Sequence, residues 1–505
     1  MLHFKCMNRL LSLPARYLDV TPMYTVVVHA LIGIYGSALV ASVVGLIGFT
    51  LVELLVMPAV VVITALVVSY LCAFLTQVPA QHYSSFITGL ILVLLILPST
   101  AIADLYSAAI MTALAIASKY VIVYRKQHVV NPVAIGLVLG GLLGFGGGAW
   151  WVASPWLFVP ILVGGLLVAE KVKRLDMVAV FLGVAFIWHL GLSWNSPLPL
   201  TELLSIFWFS FPFVFLAFFM LTEPFTMPSQ RNTRLVYGAL VATLASLPPL
   251  GGVPFTPELA LIIGNLVFAP WSLRQKLMLE FLSRREVTPS VHELTFSKPA
   301  DFRFRAGQYL EWMLPHRSDS RGVRRYFTIA SAPHEETLRV AFKVPPNAST
   351  FKQEMLKLEP GNTIVGSQLA GDFLLPKDPT IKLGFIAGGI GVTPFVSHAT
   401  AIAASHEKRD LITVYCVPTA SDLSYYEVLV AVGSVVPVIG GGEVLLGSES
   451  GFLSADIIMR RVPDFASRTW YISGPPKMVA SAYSILRGLG VPARRVKRDF
   501  FPGLA

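Results

Sequence analysis

The chain has 505 residues, a mean hydropathy of +0.67 and only 13% charged side chains, where a soluble domain carries about 25%. A formal net charge of +10 does not mark a nucleic-acid binder, because the basic residues are scattered along the chain and form no single patch. The 3 cysteines, Cys6, Cys72 and Cys416, are too few and too widely spaced for a disulfide framework, a four-cysteine metal site or an iron–sulfur cluster.

Apolar stretches broken only by short loops run from about Met23 to Trp271, and from about Arg274 the composition becomes that of an ordinary soluble protein. A spanning helix needs roughly 20 apolar residues. On that measure about ten spans are expected, near 23–45, 50–75, 84–99, 102–124, 131–146, 154–170, 175–192, 201–222, 233–249 and 256–273. The first run is long enough to span and is followed by others, which argues against a cleaved signal peptide. The runs at 84–99 and 131–146 are short, as tilted, broken or half-spanning segments are where they border a protein-buried site.

The loops give the orientation. The amino-terminal segment carries Lys5, Arg9 and Arg16. On the same side fall Arg125 and Lys126, then Lys171, Lys173 and Arg174, then Arg231 and Arg234, and finally Arg274, Lys276, Arg284 and Arg285. The opposite loops, near 46–49, 100, 147–153, 193–200 and 250–255, contain no Lys or Arg. By the positive-inside rule both the amino terminus and the carboxy-terminal half face the cytoplasm, across a bacterial inner membrane. Ionisable groups within the spans are sparse: Glu53, Asp104, Lys119, His29, His82 and His189. Most lie near a span end, where snorkelling or loop placement competes with an ion pathway. No span holds two histidines, so the paired axial ligands of a transmembrane haem are missing.

Short alternating segments follow, at 291–296, 309–314 and 338–344, with turn signals between them, and suggest a small antiparallel barrel over 287–375. Within it stands Arg324-Arg325-Tyr326-Phe327-Thr328-Ile329-Ala330-Ser331. Alternation puts Arg325, Phe327 and Ile329 on one face and Tyr326, Thr328 and Ala330 on the other. Further on, Pro346-Asn347-Ala348-Ser349-Thr350-Phe351 opens a helix with capping-box spacing at Thr350 and Gln353, a natural phosphate site. Leu383–Pro394 reads as a strand, a turn containing Gly388, Gly389 and Gly391, and a helix starting at Thr393-Pro394. Strands at 411–416 and 469–472 fit a parallel sheet, the second ending in Ser473-Gly474-Pro475-Pro476-Lys477-Met478.

These elements, in this order over about 230 residues, resemble the ferredoxin–NADP reductase superfamily. The resemblance implies that Arg325, Tyr326, Phe327 and Thr328, with Lys343, Ser349 and Thr350, hold FAD. It implies that Gly388, Gly389, Gly391, Thr393, Gly474 and Pro475 bind the pyridine dinucleotide, and that Thr328, Thr393 and Ser473 stand at the site of hydride transfer. Ser473 replaces the family's cysteine. The last residues, Phe500 to Ala505, place Leu504 where relatives carry a flavin-shielding aromatic, a role that Phe500 or Phe501 would have to fill. The stretch 417–422 has no Arg or Lys for a 2′-phosphate, which favours NADH over NADPH.

The apolar half resembles the B/D-type membrane subunits of the sodium-pumping NADH:quinone reductase and the Rnf electron-transport complex. The matching residues are Thr88-Gly89-Leu90 with Leu97-Pro98, Asn131-Pro132-Val133-Ala134, and Glu223-Pro224 before Arg231, Tyr237 and Gly238. That resemblance makes Thr88 and Asn131 candidate contacts of a membrane flavin, FMN or riboflavin; the plainer reading of Asn131-Pro132 is a helix start. The outer loop 191–200 lacks the family's threonine for covalent attachment, so the flavin is expected to be non-covalent. No metal site is expected.

The expected fold is therefore multidomain: a polytopic all-α membrane bundle, an antiparallel β-barrel flavin domain and an α/β parallel-sheet dinucleotide domain. Its parts are a cytoplasmic segment 1–22, a transmembrane domain 23–273, an FAD domain 274–378 and an NAD(P) domain 379–505. The expected function is electron transfer from cytoplasmic NADH through FAD and a membrane flavin to an extracytoplasmic acceptor, a flavoprotein. One alternative is quinone reduction, with or without ion pumping. The other is a small-molecule transporter regulated by its reductase, with Trp150, Trp151 and Trp194 at the site.

Overall fold

The computed structural model describes residues 17–18, 21–77, 82–124, 127–228, 230–249, 255–272, 276–317, 319, 323–346, 348–441 and 445–499. Lys5, Cys6, Arg9, Arg16, Arg125, Lys126, Arg274, Asn347, Phe500, Phe501 and Leu504 lie outside the described residues. The chain divides between Arg274 and Gln275 into a helical unit and a second unit built on two sheets.

The helical unit runs α1 (Met23–Val43), α2 (Leu51–Thr76), α3 (His82–Leu95), α4 (Ile102–Val121), a two-residue hairpin of β1 (Val123–Tyr124) and β2 (Gln127–His128), and α5 (Pro132–Leu142). It continues with α6 (Pro155–Lys171), α7 (Leu175–Leu192), α8 (Leu200–Phe209), α9 (Phe213–Phe215), α10 (Arg231–Ser246) and α11 (Pro257–Ser272). Helices fall within all of the expected segments, but their lengths correct the count. Among the described residues 4 are long and apolar enough to cross a membrane: α1, α2, α4 and α7. The number reaches 5 if α8 and the segment from Phe213 to Met220 form one span bent by 47°. The shortfall has local causes. α5, with 11 residues, is about 16 Å long, half of a hydrocarbon core of about 30 Å. Asn131 caps it, Pro132 begins it, and glycines from Gly140 onward end it.

Several ionisable groups are absorbed by local structure. Glu53 closes a capping box at the start of α2: its backbone N–H donates to Thr50 Oγ1 at 3.3 Å and its carboxylate accepts from the Thr50 N–H at 2.8 Å. Asp104 accepts from Ser99 Oγ at 2.6 Å, His29 pairs with the Tyr17 hydroxyl at 2.8 Å, and His189 Nε2 meets the Leu203 carbonyl at 3.0 Å. Such caps satisfy backbone groups that lipid cannot. Trp150 is buried and donates to Glu258 at 2.7 Å, whereas Trp194 is exposed.

The second unit holds two lobes. The first is an antiparallel sheet of β3 (Leu277–Thr288), β4 (Val291–Ser297), β5 (Tyr309–Met313), β6 (Arg324–Thr328), β7 (Thr337–Lys343) and β8 (Thr363–Ala370), ordered β6-β5-β8-β3-β4-β7, with a short helix α12 (Thr350–Met355). Its core is aromatic, built on Phe281, Phe296, Trp312, Phe342 and Phe351. The second lobe is a parallel sheet ordered β12-β11-β10-β9-β13-β14. Its strands are β9 (Leu383–Gly388), β10 (Leu411–Val417), β11 (Ser434–Ile439), β12 (Glu449–Ser450), β13 (Thr469–Ser473) and β14 (Val496–Arg498). Helices α13 (Thr393–Ser405), α14 (Tyr426–Val430), α15 (Ala455–Arg461) and α16 (Pro476–Gly488) connect them. β9 lies centrally between β10 and β13, is buried along its whole length and switches the winding direction of the sheet. In open parallel sheets ligands bind outside the carboxyl ends of strands at such a switch point.

Candidate functional site

The carboxyl ends of β9 and β13 meet edge to edge, and glycine is what allows it. A Cβ on Gly391 would fall 2.5 Å from the Gly474 Cα and 2.7 Å from the Ser473 carbonyl carbon. One on Gly388 would fall 2.2 Å from the Met478 Sδ, and Gly389 takes a left-handed φ of +50°. Glycine alone enters that region without strain. The two turns thus form one bare backbone surface at the start of α13, where Thr393 is buried and donates to the Ile390 carbonyl at 3.3 Å. Pro475 precedes Pro476 at the first turn of α16. Ser473 is fully buried and donates to Asp499 Oδ2 at 2.9 Å. Asp499 escaped the sequence reading: it follows the 3-residue strand β14, 26 positions away, and only the β13–β14 pairing brings it close.

On the other lobe the alternation along β6 holds, and cross-strand partners reveal which face is which. Arg325 lies opposite Trp312 and Phe327 opposite Leu310, both buried in the barrel core. Phe327 packs between Phe342 and Phe351, with ring centroids at 5.5 and 6.1 Å. Arg324, Tyr326 and Thr328 share the outer face with Tyr309 and Glu311. Tyr326 stands edge-on to Tyr309 and donates to Gln368 Oε1 at 2.6 Å. The ring on the outer face of the strand is therefore that of Tyr326, and that of Phe327 serves the core.

Arg325 reaches the end of the strand, where its guanidinium lies 5.4 Å from the Phe351 ring centroid and 3.6 Å from Asp319. Asp319 accepts from the Thr350 N–H at 3.3 Å, and the Thr350 hydroxyl meets His316 Nε2 at 3.1 Å and accepts from the Asp319 N–H at 3.0 Å. The helix cap is Ser349, whose hydroxyl accepts from the Lys352 N–H at 3.4 Å, rather than a box at Thr350 and Gln353. Arg325, Ser349 and Thr350 are thus gathered at one place, where a cation stands beside the start of a helix.

The lobes are joined by polar links. Tyr425 donates to Glu293 Oε2 at 2.8 Å, Lys343 pairs with Asp422 at 2.9 Å and Ser397 donates to the Ser331 carbonyl at 2.7 Å. The Lys343 side chain is therefore held at the junction by Asp422. His398 on α13 is buried and meets the Phe373 carbonyl at 2.9 Å through Nε2. Burial drives its pKa down to about 4, with Arg409 adding to the effect and the Phe373 bond opposing it. An unfolded histidine titrates near 6.5, so His398 contributes stability above that pH and loses it as the pH falls towards 4. The effect is about 3 kcal/mol. Melting followed by the fluorescence of buried Trp312 and Trp470 is expected to fall steeply between pH 6.5 and 4 and to flatten in His398→Gln. An unchanged profile in that variant would exclude His398 as the cause.

In the helical unit Thr88 and Asn131 line one pocket, with Tyr24, Ser84, Phe219 and Glu223. A polar network borders it. Asn131 caps α5 through the Ala134 N–H at 3.1 Å, and its amide donates to Glu223 Oε2 at 2.8 Å. Asn265 Oδ1 accepts from the Asn131 N–H at 2.9 Å, and the Asn265 amide donates to Tyr237 at 2.8 Å. Glu223 Oε1 meets His128 Nε2 at 2.9 Å. A π-helical turn, Leu216–Met220, ends just before Glu223; such turns concentrate at functional sites. Helix capping and pocket lining are both roles of Asn131. Among the described residues no group of His, Cys, Asp or Glu is arranged to hold a metal ion.

No family model matches the chain. Its second unit is similar to the reductase component of propane 2-monooxygenase from Rhodococcus jostii, 24% identical over 219 residues, 40% of this chain and 57% of that one. It is also similar to the glycine betaine monooxygenase reductase subunit of Chromohalobacter salexigens, 25% identical over 215 residues, with shares of 40% and 58%. The chain spans just over half the length of these curated relatives. Among solved structures, a ferredoxin NADP⁺ reductase from Neisseria gonorrhoeae with bound FAD and NADP aligns at 20% identity and a TM-score of 0.39, over 44% of this chain and 98% of that one. The carboxy-terminal part resembles a ferredoxin–NADP reductase-like FAD- and NAD-binding module.

Proposed function

We propose that this protein is a membrane-bound NADH-dependent flavin oxidoreductase that carries electrons from cytoplasmic NADH, through FAD in the second unit and a non-covalent FMN or riboflavin among the helices, to an extracytoplasmic flavoprotein. In this reading the helical unit lies in the lipid bilayer of a bacterial inner membrane, with the reductase on the cytoplasmic side. The observation that carries it is the meeting of Thr88 and Asn131, 43 positions apart, in one pocket of the helical unit.

When bound, FAD accepts a hydride from the nicotinamide and releases electrons singly. The chain supplies the rest. Arg325, Ser349 and Thr350 hold the diphosphate of FAD, and the outer face of β6, with Tyr326 and Thr328, receives its ring. Gly388, Gly389, Gly391, Gly474 and Pro475 let the dinucleotide lie against backbone, and Ser473, fixed by Asp499, faces the nicotinamide beside Thr393. The absence of Lys and Arg over 417–422 favours NADH. Quinone reduction is the second reading, supported by the apolar side of the pocket, Val27, Ile87, Ile91 and Val133.

Two measurements test this. The purified protein is expected to hold one FAD and one further flavin released by denaturation, with no fluorescent band in SDS, and Asn131→Ala to lose the second flavin while keeping FAD. FAD alone in the parent protein would end the conduit. Proteoliposomes given external NADH should reduce an enclosed soluble acceptor; reduction of added quinone only would favour the second reading.

A further inference from the structure

The polar network beside the pocket contains a carboxylate–imidazole pair that nothing in the electron path requires. Glu223 lines the pocket, and its two oxygens have separate partners: Oε2 accepts from Asn131 at 2.8 Å, and Oε1 meets His128 Nε2 at 2.9 Å. His128 itself does not line the pocket. It belongs to the β1–β2 hairpin that follows α4, where its side chain is 12% exposed and its ring lies 5.4 Å from Phe225. The pair thus runs from the loop that joins α4 to α5 to the pocket wall. Helix capping accounts for Asn131, but it leaves the glutamate–histidine contact without a role.

The charged and titratable groups around the pair can be named from each element. Lys119 on α4 acts electrostatically on Glu223, while its ammonium donates to the Ser84 carbonyl and hydroxyl, both at 2.9 Å. Tyr237 on α10 also feels the Glu223 charge and is bound to Asn265. Thr226 donates to Glu223 Oε2 at 3.4 Å. Ser84 is itself a pocket residue, so a cation stands behind one wall and a carboxylate in another. That polarity suits a conjugated ring that gains electrons and then protons.

We propose that Glu223 and His128 deliver protons to a planar redox ring, a flavin or quinone, held in this pocket, which rests on the pocket's being a redox site as argued above. Two electrons, supplied from NADH through the reductase unit, and two protons convert the ring's conjugated carbonyl or imine system to its dihydro form. A proton passes from His128 Nε2–H to Glu223 Oε1 and on from the carboxyl so formed to a ring heteroatom, and His128 is refilled from the hairpin side. Glu223, at the pocket wall, would be the group that meets the ring, and His128 acts through it as a positioning residue.

The test is single-turnover reduction of the full-length protein by NADH in detergent micelles, with an indicator dye reading proton uptake and absorbance reading the ring. The parent protein is expected to take up protons in step with reduction of the pocket flavin, at a rate that varies with pH. Glu223→Gln and His128→Gln should retain the flavin, take up protons about tenfold more slowly and lose the pH dependence. His128→Gln keeps the Glu223–Asn131 contact, so it decides the matter if Glu223→Gln fails to fold. Uptake at the parental rate in His128→Gln, with two flavins bound, overturns the relay and leaves the pocket reading intact. One flavin per chain in the parent protein overturns both when added quinone is also not reduced. If quinone is reduced, the same dye measurement with a water-soluble quinone decides the relay by the same outcomes.

Discussion

Replacing Gly391 with alanine is expected to reduce NADH oxidation about 100-fold while FAD stays bound. The added Cβ would meet the Gly474 Cα at 2.5 Å, the Gly474 nitrogen at 2.6 Å and the Ser473 carbonyl carbon at 2.7 Å. All three are backbone atoms, so no rotamer change relieves the clash, and overpacking of this kind costs about 1–3 kcal/mol. The ends of β9 and β13 must part, and a misplacement of about 1 Å near reacting groups costs about 10²-fold in rate. Gly388→Ala makes the control. Its Cβ would strike the Met478 Sδ at 2.2 Å, the far end of a pliable side chain, so a smaller loss is expected. Steady-state NADH oxidation with a soluble dye acceptor measures both. Equal effects in the two variants would contradict the backbone argument.

Arg325→Ala is expected to weaken FAD binding roughly 30- to 150-fold, the equivalent of about 2–3 kcal/mol for a charge-assisted contact. Arg325 is the cation at the start of α12, beside Asp319 and over the Phe351 ring. Arg325→Lys keeps the charge without the planar fork and should recover only part of the affinity. Flavin content after gel filtration reads the effect. Arg324→Ala is the comparison, since Arg324 sits on the outer face 3.7 Å from Glu311. A larger FAD loss in Arg324→Ala than in Arg325→Ala would transfer the anion-binding role to Arg324.

The sequence was most informative where chemistry left one choice of residue. The glycines at 388, 389, 391 and 474 stand out in the sequence, and a Cβ on Gly388, Gly391 or Gly474 would meet a close neighbour, whereas Gly389 has open space and a φ of +50°. Alternation along β6 was legible, yet it did not tell inside from outside. Arg324-Arg325 and Tyr326-Phe327 are doubled, so a one-residue slip gives an equally plausible pattern. Only Leu310 and Trp312 on the neighbouring strand decide that Phe327 faces the core. Helix positions in the apolar half were legible from hydropathy, whereas the number of full crossings was not, because Pro and Gly shorten α5 and a 47° bend interrupts the segment after α8. The partners of Asn131 and Glu223 stand 92 to 134 positions away or across a hairpin, and no local pattern announces them.

The links between the two lobes of the reductase unit set how it breathes. Tyr425 to Glu293, Lys343 to Asp422, Ser397 to the Ser331 carbonyl and Tyr471 to the Leu374 carbonyl at 2.8 Å tie the parallel sheet to the barrel at separate points. Swinging the lobes apart would rupture these bonds together and take the Tyr425 hydroxyl from Glu293, which is 4% exposed and keeps Arg285 and Arg339 of its own lobe. Losing a hydrogen bond to a charged group costs about 1.5–3 kcal/mol. Amides of β7 and α14 should therefore exchange with deuterium as one cooperative block.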